Sequence, residues 1–322
     1  MSKFQRRLDL SLLSDAHLTT APWLGELLRN WYPAGHAVPM AHWTAPPDCR
    51  KLDGPRPHGL RLAIRNGYLN FYCGGQSIAK VTFGRGLAAE SHAKYLTDAN
   101  VDGQIYLKLD AEAPQVAAQI SRSHRYQGVE KLFVEAVCAA SGSLIDLEMG
   151  LPSLPLPDAR TGIVRLVAPR IDLVALEPIP GGWQVSFWEA KLPADSRMRT
   201  RGEEPEVIGQ LNNYAEWFAQ PMARAAVLAA YRDTCKLLVE LHERAAALGI
   251  AVPPLHDAIL AIAMDPSQLK AIDPKVRLLI DMREDDAHFR AVHLPKLKVS
   301  GVSVHLVRSA ADMILPEGVA AA

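Results

Sequence analysis

The sequence predicts an α/β protein with a mixed central sheet flanked by helices, preceded by a small α+β module. Three observations carry this. Apolar, strand-like runs flank Asn66-Gly67 and Gly74-Gly75, two turn signals that place an antiparallel hairpin set near the start. From Ala113 onward, helical and strand periodicities alternate, as in a sheet with helices on both faces. The 322 residues, 49% hydrophobic and 22% charged, suffice for a buried core and about two domains.

In chain order, the segment from Thr20 to Trp31 reads as a short helix with a capping threonine and an early proline. The Pro- and Gly-rich stretch Pro33 to Pro57 reads as loop. Strands follow over Leu60–Arg65, Tyr68–Cys73 and Ser77–Phe83. Helices fit Ala113–Ile120 and Gly128–Ala140, then strands Leu144–Met149, Ile163–Leu176 and Trp183–Ala190. A helix near Glu203–Phe218 precedes a long Ala-rich one over Met222–Leu248. The end reads strand (Val276–Met282), helix (Asp285–Leu297), strand (Val302–Val307) and a frayed tail. The expected domains are 1–112, an accessory module, and 113–309, the α/β domain, with 310–322 as a flexible tail.

Composition narrows the function. Thirty-five Lys and Arg balance 35 Asp and Glu, which excludes a bulk polycation or an acidic disordered chain. The apolar runs are far shorter than the ~20 residues of a membrane span, and the start is too polar for a signal-peptide core. Four scattered cysteines without a CxxC read as reduced thiols in a cytoplasmic protein. No GxxxxGK, HExxH or GxSxG occurs, which argues against an NTPase, a zincin or an α/β-hydrolase. In the N-terminal module Tyr68, Phe71 and Tyr72 read as packing aromatics rather than as base-stacking groups.

One region concentrates chemistry. Strand period puts Trp183, Val185, Phe187, Glu189 and Lys191 on one face, and Arg170, Asp172, Val174 and Leu176 on one face of the preceding strand. A hairpin between the two strands sets Asp172 beside Glu189 and Lys191 if those faces coincide. Two adjacent buried carboxylates repel, and a hard divalent cation between them removes that cost. An isolated ExK tripeptide is ordinarily a surface salt bridge worth about 0–1 kcal/mol. Asp172, 17 residues before Glu189 across the hairpin, favours a site instead.

Ile171-Asp172 followed by Glu189-Ala190-Lys191 resembles the (P)D…(D/E)xK signature of the PD-(D/E)xK nuclease superfamily, without its proline. Gln210 and Tyr214, an i,i+4 pair on the next helix, resemble the Q-x(3)-Y motif of its RecB-like and phage-exonuclease branch. The resemblance covers about Ala113 to Arg308. It implies a restriction-endonuclease-like fold and a Mg²⁺-dependent nuclease, with Mn²⁺ able to substitute. Asp172, Glu189 and the Ala190 carbonyl would hold the metal, and Lys191 would assist the attacking water. Gln210 and Tyr214 would buttress Lys191 or contact the nucleic-acid strand. Family members add a helical acid, for which Glu130 at the edge of the apolar stripe (Val129, Leu132, Phe133, Ala136, Val137 and Ala140) is the better candidate. Glu135 reads as solvated. The clustered cysteines of the iron–sulfur members are missing, so no cluster is expected.

Between Arg160 and Arg201 seven basic residues face four acidic ones. Arg170, Arg197, Arg199 and Arg201 are candidates to hold a phosphate backbone. The family tendency favours DNA over RNA, and repair, phage biology or anti-phage defence as the setting. No membrane partner is expected. The N-terminal module is a candidate surface for a homodimer or a protein partner. The alternative is a module on the same fold that binds nucleic acid or a partner without cleaving.

Overall fold

The computed structural model describes residues 4–47, 49, 51, 53–97, 101, 103–110, 115–157, 164–199 and 204–315. The protein is mixed α/β and divides into two compact units. One comprises Arg6–Ser143 and Asp233–Asp265; the other comprises Met1–Gln5, Leu144–Arg232 and Pro266–Ala322. This division differs from the boundary read at residue 112: the described residues from 115 to 143 group with those before them and with Asp233–Asp265.

In the N-terminal unit, α1 (Asp15–Thr20) and α2 (Pro22–Arg29) meet at Ala21, so Thr20 ends one helix rather than capping the next. The expected loop contains a two-stranded ladder, β1 (Met40–Trp43) with β2 (Gly54–Pro57). A five-stranded antiparallel sheet follows in sequence order: β3 (Arg61–Arg65), β4 (Tyr68–Cys73), β5 (Gln76–Phe83), β6 (Leu87–His92) and β7 (Tyr106–Leu109). Arg65 pairs with Tyr68 around the Asn66-Gly67 turn, where Gly67 takes φ +82°. Gly74 and Gly75 also have positive φ, and a Cβ on either would lie 2.5 Å from the Gln127 or Lys131 side chain. Phe71 and Tyr72 are buried and pack in the core, and Tyr68 is half-buried with the Lys80 ammonium 5.0 Å from its ring centroid. Helices α3 (Val116–Ser123) and α4 (Val129–Ala140) complete this segment.

The second unit holds a five-stranded mixed sheet. Its order is β8 (Leu144–Gly150), β11 (Arg170–Ile179), β12 (Gly182–Lys191), β13 (Leu269–Asp281), β14 (Val304–Val307). β11 is antiparallel to both of its neighbours, β8 and β12; β12, β13 and β14 run parallel. A separate ladder pairs β9 (Leu154–Pro157) with β10 (Val164–Val167). The single strand expected over Ile163–Leu176 is therefore two, interrupted at Ala168-Pro169, where proline has no N–H for a ladder. Helix α5 (Glu206–Ala219) lies against the sheet, with the Phe218 and Phe187 rings 4.7 Å apart. Met198, Val207, Ile208, Leu278, Ile280 and Phe289 form its core with neighbours of the same kind. Helix α6 (Ala223–Ala247) starts in this unit and ends in the other, to which α7 (Asp257–Met264) also belongs.

After β13 the expected helix is a π-helical turn, Phe289–His293, continued by α8 (Leu294–Val299). The first residues of the expected tail are packed: Met313 and Leu315 are buried, and Asp312 accepts the amides of Arg308 and Ser309; residues 316–322 lie outside the described residues. Among the described residues no helix is long and apolar enough to cross a membrane.

Candidate active site

Sheet register brings the signature residues together. Leu173 pairs with Trp188, so the next step of the antiparallel β11–β12 ladder sets Asp172 beside Glu189. Asp172 Oδ2 accepts the Ala190 amide at 3.0 Å, which ties the carboxylate to the neighbouring strand. Lys191, on the same face as Glu189, is 1% exposed. Its ammonium donates to Glu189 Oε1 (2.5 Å) and the Ala190 carbonyl (2.9 Å) and stands 3.9 Å from Asp172 Oδ2. Three oxygens from three residues thus converge on one positive point.

Helix α5 supplies the next layer. Gln210 Nε2 donates to Glu189 Oε1 (2.6 Å) and to the Tyr214 hydroxyl (2.7 Å). That hydroxyl lies 2.8 Å from Glu189 Oε2 and 2.5 Å from the Arg170 carbonyl, and its one proton serves one of these acceptors at a time. Gln210 and Tyr214 therefore buttress Glu189; of the two roles expected for them, bracing Lys191 or contacting a nucleic-acid strand, the first falls on the carboxylate that Lys191 pairs with. The i,i+4 spacing stacks both side chains above the same carboxylate.

Charge and burial act together here. Burial, and next the Asp172 carboxylate, push the Glu189 carboxyl up to about 7, against the opposing pull of Lys191. Burial and the adjacent Glu189 also raise the Tyr214 phenol, so it stays neutral and available as a donor.

The arginines divide. Arg197 clasps Asp195 (3.0 and 2.6 Å) and donates to Gln210 Oε1 at 3.3 Å, which links an exposed cation to Glu189 through one side chain. Arg199 is engaged by Asp286 and by the Pro193 carbonyl (2.6 Å), so it fastens its loop to the protein. Arg170 is 67% exposed and pairs with Glu148 at 3.3 Å. Arg201 lies outside the described residues.

Glu130 is not among the residues assembled here: it lies in the first turn of α4, in the other compact unit. The reading of Glu135 as solvated is corrected. It is buried and paired with Arg61, while Val129, expected in the buried stripe, is 65% exposed. The partner arises 74 residues upstream, beyond the reach of helical periodicity.

Sequence reasoning missed Glu148. Ile171 pairs with Met149 and Leu173 with Leu147, so Glu148 lies opposite Asp172 in the β8–β11 register, where its backbone takes φ +51°. The alternation Asp146, Glu148 within a strand-like run was the available signal. Among the described residues, no three His, Cys, Asp or Glu side chains are gathered closely enough to form a metal-holding group by themselves. The oxygens in place are two carboxylates and the Ala190 carbonyl. That hard-oxygen set, with a surplus negative charge that lifts Glu189, fits a hydrated divalent cation of the Mg²⁺ type, which keeps several waters. No family model, no curated protein and no solved structure matches this chain.

Proposed function

We propose that the protein is a metal-dependent nuclease of the PD-(D/E)xK kind that hydrolyses phosphodiester bonds, with DNA as the preferred substrate. The convergence of Asp172, Glu189 and the Ala190 carbonyl on one cationic point, braced by Gln210 and Tyr214, carries this reading. The mixed sheet with the signature on neighbouring strands is the arrangement that the restriction-endonuclease-like resemblance implies.

In this reading Asp172, Glu189 and the Ala190 carbonyl hold Mg²⁺ or Mn²⁺. When bound, such a cation supplies Lewis-acid polarisation of the phosphate and lowers the pKa of a coordinated water. Lys191 orients the attacking water and offsets charge developing on the phosphate. Gln210 and Tyr214 each hold one oxygen of Glu189, which fixes the orientation of this carboxylate. Arg170 and Arg197 present exposed cations to the nucleic-acid backbone without reading its sequence.

The test is cleavage of single- and double-stranded DNA and of RNA by the full chain, with Mg²⁺, with Mn²⁺ and with EDTA, beside Asp172→Ala and Lys191→Ala. Metal-dependent cutting lost in both variants supports the proposal. Cutting that survives both sinks the site assignment, and binding without cutting favours the non-catalytic alternative.

A further inference from the structure

The two edges of the N-terminal five-stranded sheet are finished differently. At one edge every residue of β3 is buried, and just before it Trp31 bridges to Leu60 in parallel. Leu60 donates to the Asn30 carbonyl (2.7 Å) and accepts from the Tyr32 amide (2.9 Å), which seals the approach to that edge. At the other edge, no strand lies beyond β7 among the described residues. Ile105, just before β7, and Tyr106 and Leu107 within it are 49%, 54% and 47% exposed. The other large apolar side chains exposed among the described residues each stand alone in sequence.

Register determines what this rim presents. Val81 pairs with Ala89 and Ala89 with Leu109, and all three are buried, so they mark the core face. Leu107, paired with the buried Ser91, shares that face, as does Ile105. The apolar face of the sheet thus runs out to a half-exposed rim. On the opposite face charge alternates from strand to strand. Lys80 pairs with Glu90, their charged groups 2.8 Å apart, and Glu90 pairs with Lys108 at the rim. On that same face the Tyr106 ring meets His92 edge-on at 5.3 Å. The backbone has a direction too. The Ala93 amide donates to the Ile105 carbonyl at 2.8 Å, so Ile105, Leu107 and Leu109 turn their backbone polar groups toward β6. By the same alternation Tyr106 and Lys108 turn theirs outward, a template for one more strand.

We infer that β7 joins two copies of this chain, edge to edge and antiparallel, into one continuous sheet. Self-complementarity selects this occupant. A two-fold axis through Leu107 sets Tyr106 opposite Lys108 of the partner subunit, and both residues aim their N–H and C=O groups across the join. Each ammonium then stands beside a tyrosine ring, the contact that Lys80 already makes with Tyr68 inside the sheet (5.0 Å). Leu107 meets Leu107 of the partner subunit on the axis, and Ile105 meets Leu109 of the partner subunit, so the core face continues across. A shift of register in one direction sets Lys108 against Lys108 of the partner subunit, and like charges directly opposite resist pairing. The opposite shift moves Lys108 onto Gln104 of the partner subunit and loses the ring. A lysine on an edge strand ordinarily discourages pairing; here the one lysine of β7 is matched by its one tyrosine. The contact lies wholly in the N-terminal unit, and the inference does not depend on cleavage at the Asp172 cluster.

The experiment is sedimentation equilibrium of the full chain over a concentration series under reducing conditions. A mass rising from one chain toward two is expected. Tyr106→Pro withdraws an outward N–H and leaves the ladder with β6 intact, so it should abolish the dimer with unchanged circular dichroism. Leu107→Glu sets two carboxylates on the axis in place of two leucines and should weaken association by at least about tenfold. Register is read by mild oxidation: Leu107→Cys should link two chains through a disulfide, whereas Tyr106→Cys, Lys108→Cys and the wild type should not. The inference is overturned if the wild type stays monomeric up to millimolar concentration. It is overturned equally if folded Tyr106→Pro or Leu107→Glu dimerises as the wild type does, or if Tyr106→Cys or Lys108→Cys links in place of Leu107→Cys.

Discussion

Two buried acids in this molecule sit in contrasting company. In the N-terminal unit Glu135 meets one guanidinium: Arg61 donates to its Oε1 through Nε (2.9 Å) and Nη2 (2.5 Å). The remaining Arg61 donor, Nη1, is used by the Tyr32 and Pro33 carbonyls (2.9 and 2.8 Å). Charge is balanced one to one, and the arginine is engaged on every side. In the second unit Glu189 and Asp172 share a single ammonium, and burial with mutual repulsion lifts Glu189 to about 7. Among the described residues, the first arrangement pairs one acid with one guanidinium, and the second sets two carboxylates around one ammonium. A buried acid matters chemically when its neighbours under-compensate it.

The largest expected effect would break the contrast at its functional end. Asp172→Ala or Lys191→Ala should each lower metal-dependent cleavage by about 10³-fold, read as initial rates on labelled DNA. Next is the balanced pair. Arg61→Ala strands a buried carboxylate and should cost about 3–5 kcal/mol in a denaturant titration. An Arg61→Met, Glu135→Leu double variant should recover most of that loss, because it removes both charges together.

The under-compensated site predicts a pH dependence of a particular sign. Since Glu189 titrates in the folded protein at about 7, above its ordinary 4.5, the folded state holds the extra proton between those values. Metal-free stability should therefore fall as pH rises from 4.5 to 7, and Mg²⁺ should flatten the fall by displacing that proton. Melting temperatures with EDTA and with Mg²⁺ across this range check it; a curve rising through the window contradicts it. Asp172→Asn keeps an acceptor for the Ala190 amide while removing the repulsion, and should raise metal-free stability by about 1 kcal/mol. The smallest effect belongs to Tyr214→Phe, which deletes one donor to Glu189 at a cost of about 1 kcal/mol and moves its titration further upward.

Local patterns made some parts of this architecture legible. Asn66-Gly67 specified its turn, and strand alternation placed Asp172, Glu189 and Lys191 on coincident faces of one hairpin. The Gln210–Tyr214 spacing put both side chains on the helix edge that faces Glu189. What stayed hidden depended on distant partners. Arg61, 74 residues before Glu135, turned an apparently solvated residue into a buried one. Glu148 became a neighbour of Asp172 only through β8–β11 pairing, and Pro169 split a strand that apolar content alone would have run through. Grouping segment 113–143 with the residues before it likewise follows from contacts, not composition.

The interleaving of the two units bears on synthesis. The N-terminal unit is not complete at Ser143, because Asp233–Asp265 also belong to it. Roughly 120 residues must emerge in between, about 6–25 s at ordinary translation rates. Through that interval the N-terminal unit lacks its last helical segments. Its edge strand β7 carries Tyr106 and Leu107, which even in the finished protein are 54% and 47% exposed. The nascent chain thus passes through a stage when the growing ribosomal product, rather than the finished protein, sets the demand for chaperone protection.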